Sequence, residues 1–131
     1  MIYLKEYEEF IFENSFLILE EDIKQENLEK SIQDKQVIMM DYAADADGTR
    51  TIEPVCLGFS TNGQLVLRAW LRGGVSYTGE RKISPRPGWR LYRVDRITTY
   101  DATGKTYFKK RNGYNPNGDK DMEEVIINAK Y

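Results

Sequence analysis

The sequence predicts a small, mainly β (α+β) domain: five short antiparallel strands in a strongly bent, partly closed barrel, with helices in front. Three observations carry this reading. From residue 36 onward, short runs of β-branched, apolar and aromatic residues alternate with turn clusters. Between two of these runs stands Asn62-Gly63, a pair that accepts positive φ at low cost and so marks a hairpin. Before residue 36 the apolar residues recur every three to four positions, which is the helical period. A length of 131 residues suits one domain with a modest core. Closing the sheet removes edges that so small a domain would otherwise expose. The organisation expected is an acidic helical segment over 1–35, a β-barrel over 36–111 and a tail over 112–131 packing on the barrel.

In chain order, Tyr3, Tyr7, Phe10 and Ile11, then Phe16, Leu17, Ile18 and Ile23, give the first helical stretch. A second helix from about Gln25 to Asp34 places Leu28 and Ile32 on one stripe, at i and i+4. Val37 to Tyr42 is the first strand, and Asp45-Ala46-Asp47-Gly48 a turn. Arg50 to Phe59 is the second strand. Pro54 within it marks an edge or a bulge, because proline donates no ladder bond. Leu65 to Leu71 follows the Asn-Gly turn. Residues 73–88 form a long stretch rich in glycine and proline, of the size used for lids and binding loops. It carries Arg81, Lys82 and Arg86 beside Ser76, Tyr77, Thr78 and Ser84. The fourth strand runs from Trp89 to about Tyr100. Ala102 to Lys105 is a turn into a last strand, Thr106 to Lys109. Residues 112–118 are irregular, and Met122 to Ala129 is a final short helix or strand.

Charge is unevenly spread. Residues 1–35 hold 4 Lys/Arg against 10 Asp/Glu, residues 36–118 hold 13 against 7, and residues 119–131 hold 2 against 4. The net charge of −2 therefore hides a basic middle between acidic ends. Such a middle suits an anionic partner, or it is neutralised by the acidic ends within the chain or across a dimer. Its densest part is Arg90-Leu91-Tyr92-Arg93-Val94-Asp95-Arg96-Ile97. Read as one strand, it puts Arg93 on one face and Arg90 and Arg96 on the other. The planar arginine fork suits phosphate and carboxylate. The plainer alternative pairs Arg93 or Arg96 with Asp95 or Asp101. Likewise Arg50 has Glu53 as a candidate partner, Tyr42 and Tyr92 are candidates for the core, and Trp89 for a plug under the long loop.

Catalysis is not expected. There is no histidine, and the single cysteine, Cys56, lies in an apolar run. The usual general bases, nucleophiles and soft metal ligands are thus missing. Asp45/Asp47 and Asp119/Asp121 are pairs suited to a hard cation, but the downstream glutamate of a calcium loop is absent, so no metal and no cofactor is expected. A lone cysteine precludes an internal disulfide and suits a reducing compartment. No apolar run reaches the ~20 residues of a membrane span, and no basic-then-apolar leader opens the chain. A cytoplasmic protein with no membrane partner is expected.

Several segments in the right order resemble a WYL domain, a bacterial and phage ligand-sensing module. A helix ending near Ile32 precedes a strand ending in Tyr42. Arg50-Thr51-Ile52-Glu53-Pro54 is similar to the family's Arg-x-Ile-x-Pro run. Leu65 to Trp70 stands where the family has its Trp-Tyr-Leu tripeptide, although Leu65 and Val66 replace the first two residues. Gly88 to Ile97 is similar to the closing Phe-Arg-x-x-Arg-Ile segment. The likeness spans roughly residues 25–110 and lacks the DNA-binding head of family regulators. It implies a stand-alone Sm-like, SH3-type barrel with a basic pocket for single-stranded nucleic acid or a nucleotide-like anion. The resemblance carries Tyr42, Arg50, Arg90, Arg93 and Arg96 into that pocket. The residues themselves add Arg68, Tyr92 and the loop cations Arg81, Lys82 and Arg86, since aromatic faces stack on bases while arginines track phosphates. The function expected is a non-catalytic, regulatory binding module. The alternative is a structural protein whose barrel assembles into a homo-oligomer, a homodimer being its simplest form.

Overall fold

The computed structural model describes residues 24–43, 49–74, 76–78, 81–83, 86–118 and 120–131, with backbone only at 74, 76–78 and 81–83. The first amphipathic stretch (1–23), the turn at 45–48 and Asp119 lie outside the described residues. The second helix is present as α1, residues 24–33. Leu28 and Ile32 are fully buried and enter the main core, as their i, i+4 stripe requires. Lys35 follows the helix in a left-handed conformation (φ 51°), and its N–H donates to Ile32 O at 3.2 Å.

The strands are β1 (Gln36–Tyr42), β2 (Thr49–Ser60), β3 (Leu65–Gly74), β4 (Ser76–Thr78), β5 (Arg81–Ile83), β6 (Gly88–Arg93), β7 (Ile97–Thr106) and β8 (Met122–Asn128). All pairings are antiparallel. The main sheet has six strands in an open path, β6-β3-β2-β1-β7, with β8 paired to β2 off that path. The long loop contains a small separate ribbon, β4-β5, which sets Tyr77 opposite Lys82 and Thr78 opposite Arg81.

β2 organises the sheet. One edge pairs with β3 along most of its length. The other is divided: Thr49 to Ile52 pair with β1 and Cys56 to Ser60 with β8. A register shift between Pro54 and Cys56 marks the bulge that the proline predicts. The hairpin at 61–64 forms as expected: Gly63 takes φ 78° and donates to Ser60 O at 2.9 Å.

The second half of the sheet differs from expectation in three places. The strand expected from Trp89 to Tyr100 is broken by a 3-10 turn, Val94–Arg96, because Val94 is drawn fully into the core. Ala102 to Lys105, expected as a turn, is a bulge inside β7. Ala102 opposes Ile38 while Thr106 opposes Gln36, so β7 spends two extra residues there. Thr103 Oγ1 donates to Val37 O at 2.8 Å across the gap. The strand expected at 106–109 therefore ends at Thr106, and its place as an additional strand is taken by β8.

Two faces of β3 and β6 matter for function. Leu67, Ala69 and Leu71 of β3 are buried and lie opposite Tyr92, Arg90 and Gly88. Val66, Arg68 and Trp70 occupy the other face, opposite Arg93, Leu91 and Trp89.

Candidate functional site: two basic surfaces on opposite faces of the sheet

On the first face, Met40 of β1 is paired with Arg50 of β2 beside the buried Ile38 and Ile52. Arg50 is itself buried, with 8% exposure. Its Nη1 donates to Tyr92 Oη at 3.3 Å, and its guanidinium lies 5.8 Å from the Tyr92 ring centre. Tyr92 is buried and meets the half-buried Tyr42 edge-to-face at 5.1 Å. Burial pushes the Tyr92 hydroxyl above its usual pKa, while Arg50 and Arg90 oppose that shift. Arg90 is thus within electrostatic reach of Tyr92. Its Nη2 donates to Arg86 O and its Nη1 to Trp89 O, both at 2.9 Å. The sequence alternatives divide here: Tyr92 belongs to the core, Tyr42 packs half-buried against it, and Arg50 reaches Tyr92 while Glu53 is held by other cations.

Arg93 and Arg96 do not join this cluster through their side chains. Arg93 points to the opposite face, and its fork closes on Asp95, with Nε–Oδ1 3.2 Å and Nη2–Oδ2 2.7 Å. The local ion pair, given above as the plainer alternative, is what forms. Arg93 enters the first cluster only through its backbone N–H, which donates to Tyr42 Oη at 2.9 Å. Arg96 is exposed in the 3-10 turn, so it does not share a strand face with Arg90. Its carbonyl accepts from Ala43 N–H at 2.8 Å. Arg86 is exposed at the entry to β6. Arg81 and Lys82 lie on β5, whose side chains are outside the described residues.

The second face is covered by the chain after β7. Glu53, with no exposure, is held by Arg111 (Nη2–Oε2 2.7 Å, Nε–Oε1 3.3 Å) and by Arg72 (Nε–Oε2 3.0 Å). A buried carboxylate needs such partners, since desolvation would otherwise neutralise it. Arg111 also lies 5.2 Å from the Trp70 ring. Trp70, Trp89, Tyr114, Tyr131 and Tyr107 then run in successive ring contacts of 5.1 to 6.5 Å. The side chains of the long loop at 74–85 lie outside the described residues, and the expectation of Trp89 as a plug beneath it falls there. Trp89 Nε1 donates to Asn112 O at 2.8 Å, and the indole sits under segment 112–114. Beside it is a cavity of about 270 Å³ lined by Arg68, Trp89, Gly113, Asn115, Gly118 and Lys120. Burial lowers the pKa of Arg68, and Asp121 and Cys56 act against that shift. Cys56 is a buried thiol, 3.6 Å from Met122 Sδ, and burial pushes its pKa up to about 11.

Sequence reasoning missed Arg111, Asn115 and Lys120. The signal for Asn115 was the run Asn112-Gly113-Tyr114-Asn115-Pro116-Asn117-Gly118, whose turn-forming residues suit a cradle. Among the described residues there is no cluster of metal-ligating side chains, and Asp45, Asp47 and Asp119 lie outside them.

A family model described as WYL domain matches residues 24–102. The chain belongs to the WYL domain family. WYL domains are in general ligand-sensing and regulatory modules rather than catalysts, and bind nucleic acid or small ligands. The WYL match takes in Tyr42, Arg50, Arg90 and Tyr92, the whole first cluster. It stops before Tyr107, Arg111, Lys120 and β8, so the cover over the second face lies outside it. No curated protein and no solved structure matches the chain. No helix among the described residues is long and apolar enough to cross a membrane.

Proposed function

We propose that this WYL domain is a non-catalytic binding module that senses single-stranded nucleic acid or a nucleotide-like anion on the first face. One observation carries the proposal: Arg50 bonds and packs on Tyr92, Tyr92 meets Tyr42 edge-to-face, and Arg90 stands two residues before Tyr92 on the same strand face of β6. A guanidinium held part-way out of water attracts an anion more strongly than one in bulk solvent. The half-buried Tyr42 ring, set by its edge-to-face contact with the buried Tyr92, supplies a stacking surface for a base. Arg86 tethers Arg90 through its carbonyl, and Arg81, Lys82 and Tyr77 on the neighbouring ribbon would form the lid. Arg93 and Arg96 serve the pocket by backbone hydrogen bonds.

The sheet is read as an Sm-like, SH3-type barrel. The strand order supports this, as does a 3-10 turn between β6 and β7. The bonds from Arg93 N–H to Tyr42 Oη and from Ala43 N–H to Arg96 O bring the end of β6 and the 3-10 turn against the end of β1, which bends the sheet in the direction a barrel needs.

The test is fluorescence polarisation with labelled single-stranded DNA and RNA 10-mers across a salt series from ~50 mM, where phosphate contacts are least masked. Binding is expected to fall steeply with salt and to be lost in Arg90→Glu. Arg93→Glu should bind almost as wild type, because its side chain faces Asp95. Absence of binding together with a salt-sensitive oligomer would favour the assembly function instead.

A further inference from the structure

We propose that Asn112 is a modification site, where spontaneous deamidation converts the side-chain amide to a carboxylate beside Trp89. Among the described residues stand three Asn-Gly pairs: Asn62-Gly63, Asn112-Gly113 and Asn117-Gly118. A glycine after asparagine leaves its main-chain nitrogen unhindered for attack on the side-chain carbonyl. The three pairs are alike in other respects too. Their asparagines are exposed, and their glycines take positive φ of 78°, 90° and 83°.

What separates them is the glycine N–H. Gly63 N–H donates to Ser60 O at 2.9 Å, and Gly118 N–H donates to Asn115 O at 3.0 Å. A nitrogen so bonded attacks only after that bond is broken. Gly113 N–H has no acceptor among the described residues, and the Asn112 side chain has no hydrogen-bond partner among them. Nucleophile and target are therefore both unengaged at this pair alone. The fold also imposes the glycine. At φ 90° a side chain is strained, and a Cβ on residue 113 would meet Trp89 Nε1 at 3.0 Å.

In the reaction Gly113 N bonds to Asn112 Cγ and gives up its proton. The Cγ–Nδ2 bond breaks, and ammonia leaves with that proton. Water then opens the cyclic imide. Opening at Cγ gives aspartate at position 112. Opening at the main-chain carbonyl gives isoaspartate, in which the chain runs through the side chain and is a methylene longer. Water is consumed and ammonia released, with no oxidant or reductant. The position gives this chemistry a consequence. Asn112 O accepts from Trp89 Nε1 at 2.8 Å, and the preceding Arg111 is pinned by the buried Glu53. In the isoaspartate form that oxygen belongs to a free carboxylate off the main chain, while the segment after Arg111 gains length. Deamidation thus adds a negative charge beside Trp89 and loosens the cover on the second face.

The test ages the whole chain in mildly alkaline buffer, native and in urea, and reads each pair by peptide mapping with fragmentation in the mass spectrometer. In the native chain Asn112 should react about five- to tenfold faster than Asn62 or Asn117, the factor that breaking one hydrogen bond costs. In urea the three rates should converge, because the bonds are gone. Trp70 and Trp89 are the only tryptophans. Their fluorescence should drift as wild type ages and stay constant in Asn112→Gln, which keeps the main-chain carbonyl and forms the imide far more slowly. Asn112 is exposed, so this variant keeps the fold. Native reaction at Asn62 or Asn117 as fast as at Asn112, or an unreactive Asn112 in a native chain whose unfolded form reacts, would overturn the proposal. So would a fluorescence drift that persists in Asn112→Gln.

Discussion

Replacing Arg111 by alanine tests whether the segment beyond the family match is structurally bound to the sheet. In the native chain Glu53 has no exposure and two cationic partners. Removing the partner of a buried ion costs about 3–5 kcal/mol when none is left. Here Arg72 remains at 3.0 Å, so roughly half of that cost applies. Loss of the Arg111–Trp70 contact, at 5.2 Å, adds about 0.5–1 kcal/mol. The sum is about 2–3.5 kcal/mol. Urea unfolding followed by tryptophan fluorescence measures it, with Glu53→Gln and the double variant completing a mutant cycle. Coupling of about 1–3 kcal/mol is expected between residues in direct contact. A loss below about 0.5 kcal/mol, typical of exposed pairs, or a strictly additive cycle, would refute the view that burial of Glu53 makes this pair matter.

Three further outcomes follow from local geometry. Cys56 has its pKa raised by burial from 9.0 to about 11. Its contribution is complete below pH 9 and is lost as pH rises from there towards 11, because the unfolded chain ionises first. Subtracting the alkaline stability curve of Cys56→Val from that of wild type should leave a fall of about 2–3 kcal/mol in that window; identical curves would contradict it. Gly58→Ala places a methyl against Glu124 O and the Met122 side chain, so β8 must leave β2. A loss above about 3 kcal/mol is expected, with amide exchange rising first at 122–128, and a near-neutral result would be inconsistent with the pairing. Lys35→Gly relieves a left-handed non-glycine residue after α1 but forfeits the Lys35–Tyr131 contact. A net gain of about 0.5–1 kcal/mol in chemical denaturation is expected, and a loss would mean that the ring contact outweighs the backbone.

Local rules located what local physics decides. The Leu28/Ile32 stripe, the Asn-Gly hairpin and the Pro54 bulge each depend on a few neighbouring residues, and each was legible. The 3-10 break after Arg93 was not. It arises because Val94 is worth more in the core than on a continuous strand, a choice set by distant residues. The bulge at 102–106 was hidden for a related reason, since Gly104 signals a turn and a bulge alike. For the candidate site, sequence found the arginines but not their partners. It left Glu53 as a candidate for Arg50, three residues away, whereas the actual cations come from Arg72 and Arg111. It also places Arg93 among the pocket residues, whereas the fork of Arg93 closes on Asp95, two residues on. Which cation serves the pocket depends on strand faces and on the break, and so on the assembled sheet.

The divided edge of β2 bears on how this domain is handled and how it evolves. A fragment cut at Ala102, where the family match ends, would lack β8 and leave the row from Cys56 to Ser60 without its hydrogen-bonded neighbour. A bare row of that kind recruits strands from other molecules. Expression of the family portion alone should therefore give aggregates or strand-swapped dimers. Fusion partners are better joined beyond β8 than at the boundary that sequence similarity suggests.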